Sequence, residues 1–362
     1  MIVFNVVFVA MVFLCTFEVL KADAFYLDSQ SNNGTLRFEI DNDVAWGDDS
    51  GFTNGWSIQY HTVRYAGWEN AKTPGLIKSI GVHFPTLNDN ESIVRNGHGI
   101  GQNMITPGDI ESEHPLEGDL PYAGTLTYSL NWQSFDRKSA RNLQISLGVL
   151  GDASLAEPFQ TVFHRDLGLG ETPQGWDTQR KTEPLLNLGY QYAKCIANIG
   201  QHTNDWAGQL TLAPSASLGN LFTAVELILS LRFGWNMLEG FNAYPAPPGR
   251  GFFQSSYLPK PPSASPHGVE MIVGARWTGL IYSVIYDGSL ITDDDRSVER
   301  NGYYFSTGIG VAYHYYGFFS IRATLQKSTD LLDEDALPTP LNDRDKTQPD
   351  PSFGSLMVDF HF

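Results

Sequence analysis

The chain has 362 residues and a formal charge of −17, with 40 acidic residues against 23 Lys and Arg. That balance repels phosphate backbones and excludes a nucleic-acid partner. Apart from the first few residues, no run of about 18 apolar residues occurs, so membrane helices are excluded as well.

The first segment, Ile2 to Leu14, is apolar except for Asn5 and is followed by Ala22-Asp23-Ala24. A short apolar run before a small-x-small pattern reads as a signal peptide, here residues 1–24, leaving a mature domain over 25–362. Cleavage there moves the charge from −17 to −16, since Glu18, Lys21 and Asp23 leave with it. Cys195 is then the only cysteine, so no intramolecular disulfide is possible.

The mature chain alternates. Leu126, Tyr128, Leu130 and Trp132 interleave with Thr125, Thr127, Ser129 and Asn131. Leu143, Ile145, Leu147 and Val149 interleave with Asn142, Gln144, Ser146 and Gly148, and a similar pattern runs from Leu186 to Ala193. Strand side chains alternate faces with a period of two. The polar faces are small or amide-bearing and suit a lumen, while the apolar, aromatic faces suit lipid. A secreted β-sandwich binding module is the alternative, but its outer face would carry more Lys and Glu.

This pattern predicts twelve strands near 35–44, 53–64, 96–105, 121–133, 140–151, 183–195, 206–217, 222–235, 268–286, 302–314, 316–328 and 352–362. The last segment, Met357-Val358-Asp359-Phe360-His361-Phe362, puts Val358, Phe360 and Phe362 on one face. An even count gives a transmembrane antiparallel up-and-down β-barrel of a bacterial outer membrane, with both termini on the periplasmic side. Connections 44–52, 106–120, 152–182, 287–301 and 329–351 then face outward. Connections 65–95 and the proline-rich 236–267 are too long for ordinary periplasmic turns.

Candidate chemistry collects on the outward side. In 152–182, Ser154 can cap a helix, Pro158 is tolerable in its first turn, and Phe159 to Leu167 continues at helical spacing. Gln160 and His164, four apart, share one face of that extracellular helix. An imidazole titrates near neutrality and can serve as a general base. The first strand ends in Glu39-Ile40-Asp41-Asn42-Asp43 and the second opens on Phe52-Thr53-Asn54-Gly55. Clustered carboxylate, amide and hydroxyl oxygens suit a hard cation such as Ca²⁺, and equally a polar strand end with an Asx turn. By parity, Asn42 shares the lipid-facing register of Phe38 and Ile40, whereas Asp43 shares the lumen register. One cation could hold both only with a bulge or a backbone oxygen between them.

At these residues the chain resembles the LpxR-type lipid A deacylases. The matching features are 39–43 and 52–55 as quoted, Gly101-Gln102-Asn103-Met104-Ile105-Thr106-Pro107 and Pro121-Tyr122-Ala123-Gly124. They continue with Gln160-Thr161-Val162-Phe163-His164-Arg165, Gln174-Gly175-Trp176-Asp177-Thr178-Gln179 and Glu183-Pro184. The resemblance implies a twelve-stranded barrel among outer-membrane lipids, expected as a monomer, with lipid A or lipopolysaccharide as substrate, and acting as a calcium-dependent ester hydrolase on the 3'-linked acyloxyacyl group of lipid A. It implies His164 as general base, Gln160 orienting it or the substrate, and Asn42, Asp43 and Thr53 building the calcium and oxyanion site.

One feature departs from that family. The lysine expected soon after the Thr106-Pro107 turn is missing: 108–120 holds Asp109, Glu111, Glu113, Glu117 and Asp119 and no Lys or Arg. Arg64, Arg95 and Arg165 are the conceivable substitutes, and a related lipid ester stays open as substrate. The competing functions are a phospholipase-like esterase with a Ser–His pair, and a non-catalytic barrel or narrow pore.

Overall fold

A computed structural model describes residues 34–43, 51–88, 92–110, 112–114, 118–161, 173–242, 244, 256–258, 260–261, 263–329, 331–332 and 352–362, without the Thr53 side chain. The expected leader lies outside them. Twelve long strands follow one another: β1 Thr35–Asn42, β2 Gly51–His61, β3 Ile93–Thr106, β4 Ala123–Phe135, β5 Ser139–Leu150 and β6 Glu183–Gly200. The second half is β7 Trp206–Gly219, β8 Phe222–Trp235, β9 His267–Ser283, β10 Tyr303–Tyr315, β11 Phe319–Ser328 and β12 Phe353–His361. Each pairs antiparallel with the next. β12 also pairs with β1, from Thr35↔His361 to Asn42↔Gly354, so the sheet closes and no edge is left.

Alternation decides the two faces. Phe38, Ile40, Ile58, Ile100, Tyr128, Leu147 and Leu186 are exposed on the outer wall, while Arg37, Glu39, Asp41, Gln59, Asn131 and Gln133 are buried inside. Among the described residues no helix is long and apolar enough to cross a membrane. The strands do so.

The two long connections at the end bearing Gly34 and Phe362 are not turns. Residues 65–88 fold back as a two-residue strand, Tyr65–Ala66, a 3-10 turn at Trp68–Asn70 and helix α1, Gly75–His83. Trp68, Ile77 and Leu87 pack on Val94, Trp132 and Leu143, which belong to the outward register. Trp132 Nε1 donates to Ile77 O at 2.8 Å, so this insertion lies on the outside of the barrel. From connection 236–267, Phe241, Tyr244 and Tyr257 instead enter the lumen and form a plug there. Phe241 packs among Phe135, Ala140, Ala193 and Ile228, and Tyr244 Oη donates across to Leu325 O at 2.7 Å.

The lumen is filled from both ends. Toward the plug it holds Arg37, paired with Asp359 at 2.6 Å, Arg232 with Glu270 at 2.5 Å, and Arg322, which donates to Tyr257 Oη at 2.7 Å. At the other mouth Ile105, Leu120, Leu150, Leu185, Val298 and Leu332 close over it, with Val284 and Ile285 from helix α3, Val284–Asp287. A cavity of about 200 Å³ remains between, lined by groups such as Thr125, Ser129, Gln144 and Thr278 below and Phe52, Leu280 and Tyr304 above. This filling opposes the pore.

Candidate functional site on the outer wall

Strand register lays the site out as rows across the outer face. Asn42 pairs with Asn54, Asn54 with Met104, and Met104 with Gly124. Strands are about 4.8 Å apart, so Asn42 and Gly124 lie roughly 14 Å apart along this row. Immediately behind it come Ile40, Trp56, Gln102 and Leu126.

Gly124 is where the outward connection lands. A Cβ there would sit 2.3 Å from both Ala156 Cβ and Ser154 Oγ, so only glycine lets this segment lie flush against the wall. Helix α2, Ala156–Thr161, begins there, after Leu155 in the left-handed region at φ 59°, and Ser154 Oγ accepts from Ala156 N at 3.4 Å. Ala156 and Phe159 join Met104, Tyr122 and Trp176 in an apolar cluster on the outside of the barrel. Phe159 also lies 5.7 Å from the Trp56 ring on β2. The Gly124→Ala variant is therefore expected to lift α2 at a cost of about 1–3 kcal/mol. Limited proteolysis of the 151–182 connection at graded temperatures would register it.

Gln102 ties the pieces together. It lies in the lipid-facing register of Ile100, yet is buried. Its Oε1 accepts from Trp56 Nε1 at 2.9 Å and its Nε2 donates to Ser154 O at 2.6 Å. One amide thus links β2, β3 and the start of α2. Sequence reasoning gave Gln102, Trp56, Trp176 and Gly124 no role. An amide in a register otherwise turned to lipid was the available signal, because such a group needs a partner.

Of the expected site residues, Gln160 is buried in α2, and its Oε1 accepts from Trp176 Nε1 at 2.8 Å. Its Nε2 is buried and has no hydrogen-bond partner among the described residues. Asn42, half-buried, ends β1 on the outward register, and Asp43 beyond it is buried. A bulge lies in β2, not between Asn42 and Asp43, so it leaves the parity of those two as the sequence has it. Pairing runs Phe52↔Ile105 and then Asn54↔Met104, leaving Thr53 as the extra residue. It flips Phe52 inward, where it packs 5.3 Å from Phe353 and lines the lumen cavity. The structure thus brings Asn42, Asp43, the Thr53 bulge and the Gln160 helix to one rim. His164 falls outside the described residues.

Among the described residues, no three His, Cys, Asp or Glu are grouped to hold a metal. Asn42 and Asp43 offer hard oxygen donors of the kind calcium takes, but fewer than its usual complement of about six to eight.

Two suggested phosphate contacts are corrected. Arg95 is buried in the lumen near the start of β3 and donates to Gln133 Oε1 at 2.6 Å. Arg64 follows β2 at the opposite end from the Asn42 rim. Neither can meet a headgroup there, and Arg165 lies outside the described residues. The rim cations Arg180 and Arg296 are joined to Asp294, and Lys181 to Asp293.

Asp119, in the acidic connection, accepts from Gly108 N at 2.9 Å and Leu120 N at 2.6 Å. Burial pushes its carboxyl up to about 6, against those two donors and with some help from Asp109. A raised folded pKa means that the folded form holds the proton more tightly. Its contribution therefore improves as pH falls from 7 through about 6 and is complete below the unfolded value near 3.8. The melting temperature of the parent chain should rise relative to Asp119→Asn between pH 7 and pH 5. Parallel pH profiles would contradict this.

The fold and rim define a class: an outer-membrane β-barrel with a polar site set against its lipid-facing wall. The family model described as "Outer membrane protein LpxR" matches residues 7–361. The chain belongs to the LpxR family and is an outer-membrane protein. Among solved structures, LpxR from Salmonella typhimurium is similar with a TM-score of 0.68 at 15% identity, covering 91% of this chain and 100% of that one. The beta domain of the Bordetella autotransporter Brka gives a TM-score of 0.39 at 11% identity, over 91% and 97% of the two chains. No curated protein sequence matches the chain.

Proposed function

We propose that this protein is a lipid A deacylase that hydrolyses the 3'-linked acyloxyacyl ester. The observation that carries this reading is α2 with Gln160, seated on the outer face of the barrel at the row of Asn42. A lipid of the outer leaflet could reach such a site without leaving the membrane. Membership of the LpxR family supports it.

In this reading His164 takes a proton from water, which attacks the ester carbonyl, and later returns the proton to the leaving alkoxide. The Gln160 carbonyl is occupied by Trp176, so its amide is the end left to donate to the substrate. Asn42, Asp43 and Thr53 would hold calcium, which supplies Lewis-acid stabilisation of negative charge on the carbonyl oxygen. The Trp56–Phe159 and Gln102 contacts keep the helix at a fixed height over the rim.

The acidic connection 108–120 favours a second reading, a related outer-leaflet lipid ester bearing less phosphate. One assay decides: incubate purified protein with calcium and either lipid A or a phospholipid, then weigh the products. Loss of an acyloxyacyl mass from lipid A, abolished by a calcium chelator, is the expected result. Fatty acid released only from phospholipid would overturn the first reading for the second.

A further inference from the structure

Below the site, the outer wall of β2–β5 carries a bare band between two ledges. The upper ledge is α2, which covers Met104, while the buried Gln102 lies behind it. The lower ledge is the 65–88 insertion, which covers Val94, Trp132 and Leu143. Between them runs the row Ile58, Ile100, Tyr128 and Leu147, exposed by 39, 43, 46 and 53%. The next row is Tyr60, His98, Leu130 and Ile145, of which Leu130 and Ile145 already touch the insertion.

We propose that this band seats one acyl chain of the substrate lipid, and that the insertion beneath it limits the length of chain accepted. The proposal rests on the deacylase reading for the identity of the lipid. Any barrel wall meets lipid. What sets this strip apart is relief on both sides and a candidate catalytic rim at its head.

The dimensions agree. From the Asn42–Met104 row to the His98 row is six residues, roughly 20 Å along the strand. With strands tilted by about 40° the drop is roughly 15 Å, about one leaflet of the hydrocarbon core. An ester held at the rim would thus bring its chain terminus to the upper edge of the insertion. The polar groups at that edge are engaged sideways: His98 Nδ1 lies 2.6 Å from Tyr128 Oη, and His98 Nε2 lies 3.0 Å from Asn96 Nδ2. The floor of the band therefore offers ring faces and methyl groups to a chain end.

The test fills the band. Ile100→Trp is compared with Leu229→Trp, which changes an exposed residue of β8 away from the band. Each protein, in detergent with calcium, receives an equimolar mixture of lipid A species with longer and shorter chains, and mass spectrometry gives the ratio of acids released. In parallel, native mass spectrometry of each variant carrying His164→Ala measures which species is retained. Ile100→Trp should lower the long-to-short ratio about tenfold, the low end of what one methylene decides in a hydrophobic pocket. Leu229→Trp should leave it unchanged. An unchanged ratio in both release and retention for Ile100→Trp overturns the proposal. If wild type releases no acid, the deacylase reading fails, and the retention ratio alone decides whether the band seats a chain.

Discussion

Replacing His164 with alanine is expected to lower the rate of acyl release from lipid A by about 10²–10⁴-fold, the usual worth of a positioned general base. The expectation rests on the spacing that puts His164 four residues after Gln160 in the sequence, and on how the helix bearing Gln160 is held. α2 is held by Gly124, which leaves room for Ala156 and Ser154, and by Gln102, which bonds Ser154 O. A base also carries a signature that a packing residue does not. In the parent protein the rate should fall as pH drops below about 6.5, where an ordinary imidazole gains its proton. In His164→Ala the residual rate should lose that inflection while the barrel still shifts in mobility on heating. A variant that keeps its rate, or loses it together with the folded barrel, would remove His164 from the chemistry. Gln160→Ala should act differently. It gives up the partner of Trp176 and the unengaged amide together, but leaves the proton acceptor. Its pH profile should keep the inflection at a reduced rate.

The twelve strands were legible because alternation is a local signal that each strand repeats. Predicted and observed segments agree, from 140–151 against Ser139–Leu150 to 222–235 against Phe222–Trp235. The ninth, predicted to reach 286, ends at Ser283, which caps a short helix by accepting from Ile285 N. The long connections were less legible for a different reason. Whether Trp68 and Ile77 face water or a wall depends on Trp132 and Leu143, more than fifty residues later. Nothing in the local spacing of α1 carries that information. The plug is similar, since its anchors Tyr244 and Tyr257 bond strands far along the chain. At the rim, the polar ends of β1 and β2 were visible. The bulge at Thr53 was not, because one surplus residue leaves composition and spacing unchanged. Arg95 shows the cost of reading charge without register. A cation was sought for a headgroup, and the inward parity of β3 gives it to Gln133 instead.

The largest expected change in stability lies far from that rim, at the pair that holds the plug. Arg232 and Glu270 are both fully buried, with Nη2 and Oε2 2.5 Å apart. Arg232 also donates to Gln209 Oε1 and Gly240 O at 3.0 Å and to Leu238 O at 2.8 Å. The guanidinium therefore fastens the first turn of the plug to β7 and β8, and Glu270 on β9 supplies the countercharge. Removing one partner leaves the other charged and desolvated, which costs about 3–5 kcal/mol. Glu270→Ala should accordingly lower the unfolding temperature of the detergent-solubilised barrel by far more than Leu229→Ala on its outer wall. The double variant Arg232→Met/Glu270→Leu should recover most of the loss, because it removes both charges and returns apolar volume. Heat-modified gel mobility, followed against temperature, reads all of these proteins. If Glu270→Ala melts with the parent, the pair does not hold the plug, and the carbonyls of Leu238 and Gly240 must be secured by other contacts. If the double variant melts as low as the single, the geometry of the hydrogen bonds matters more than the charge they carry. Because plug and rim occupy opposite ends of the barrel, the folded fraction of each variant should release acyl chains at the parental rate.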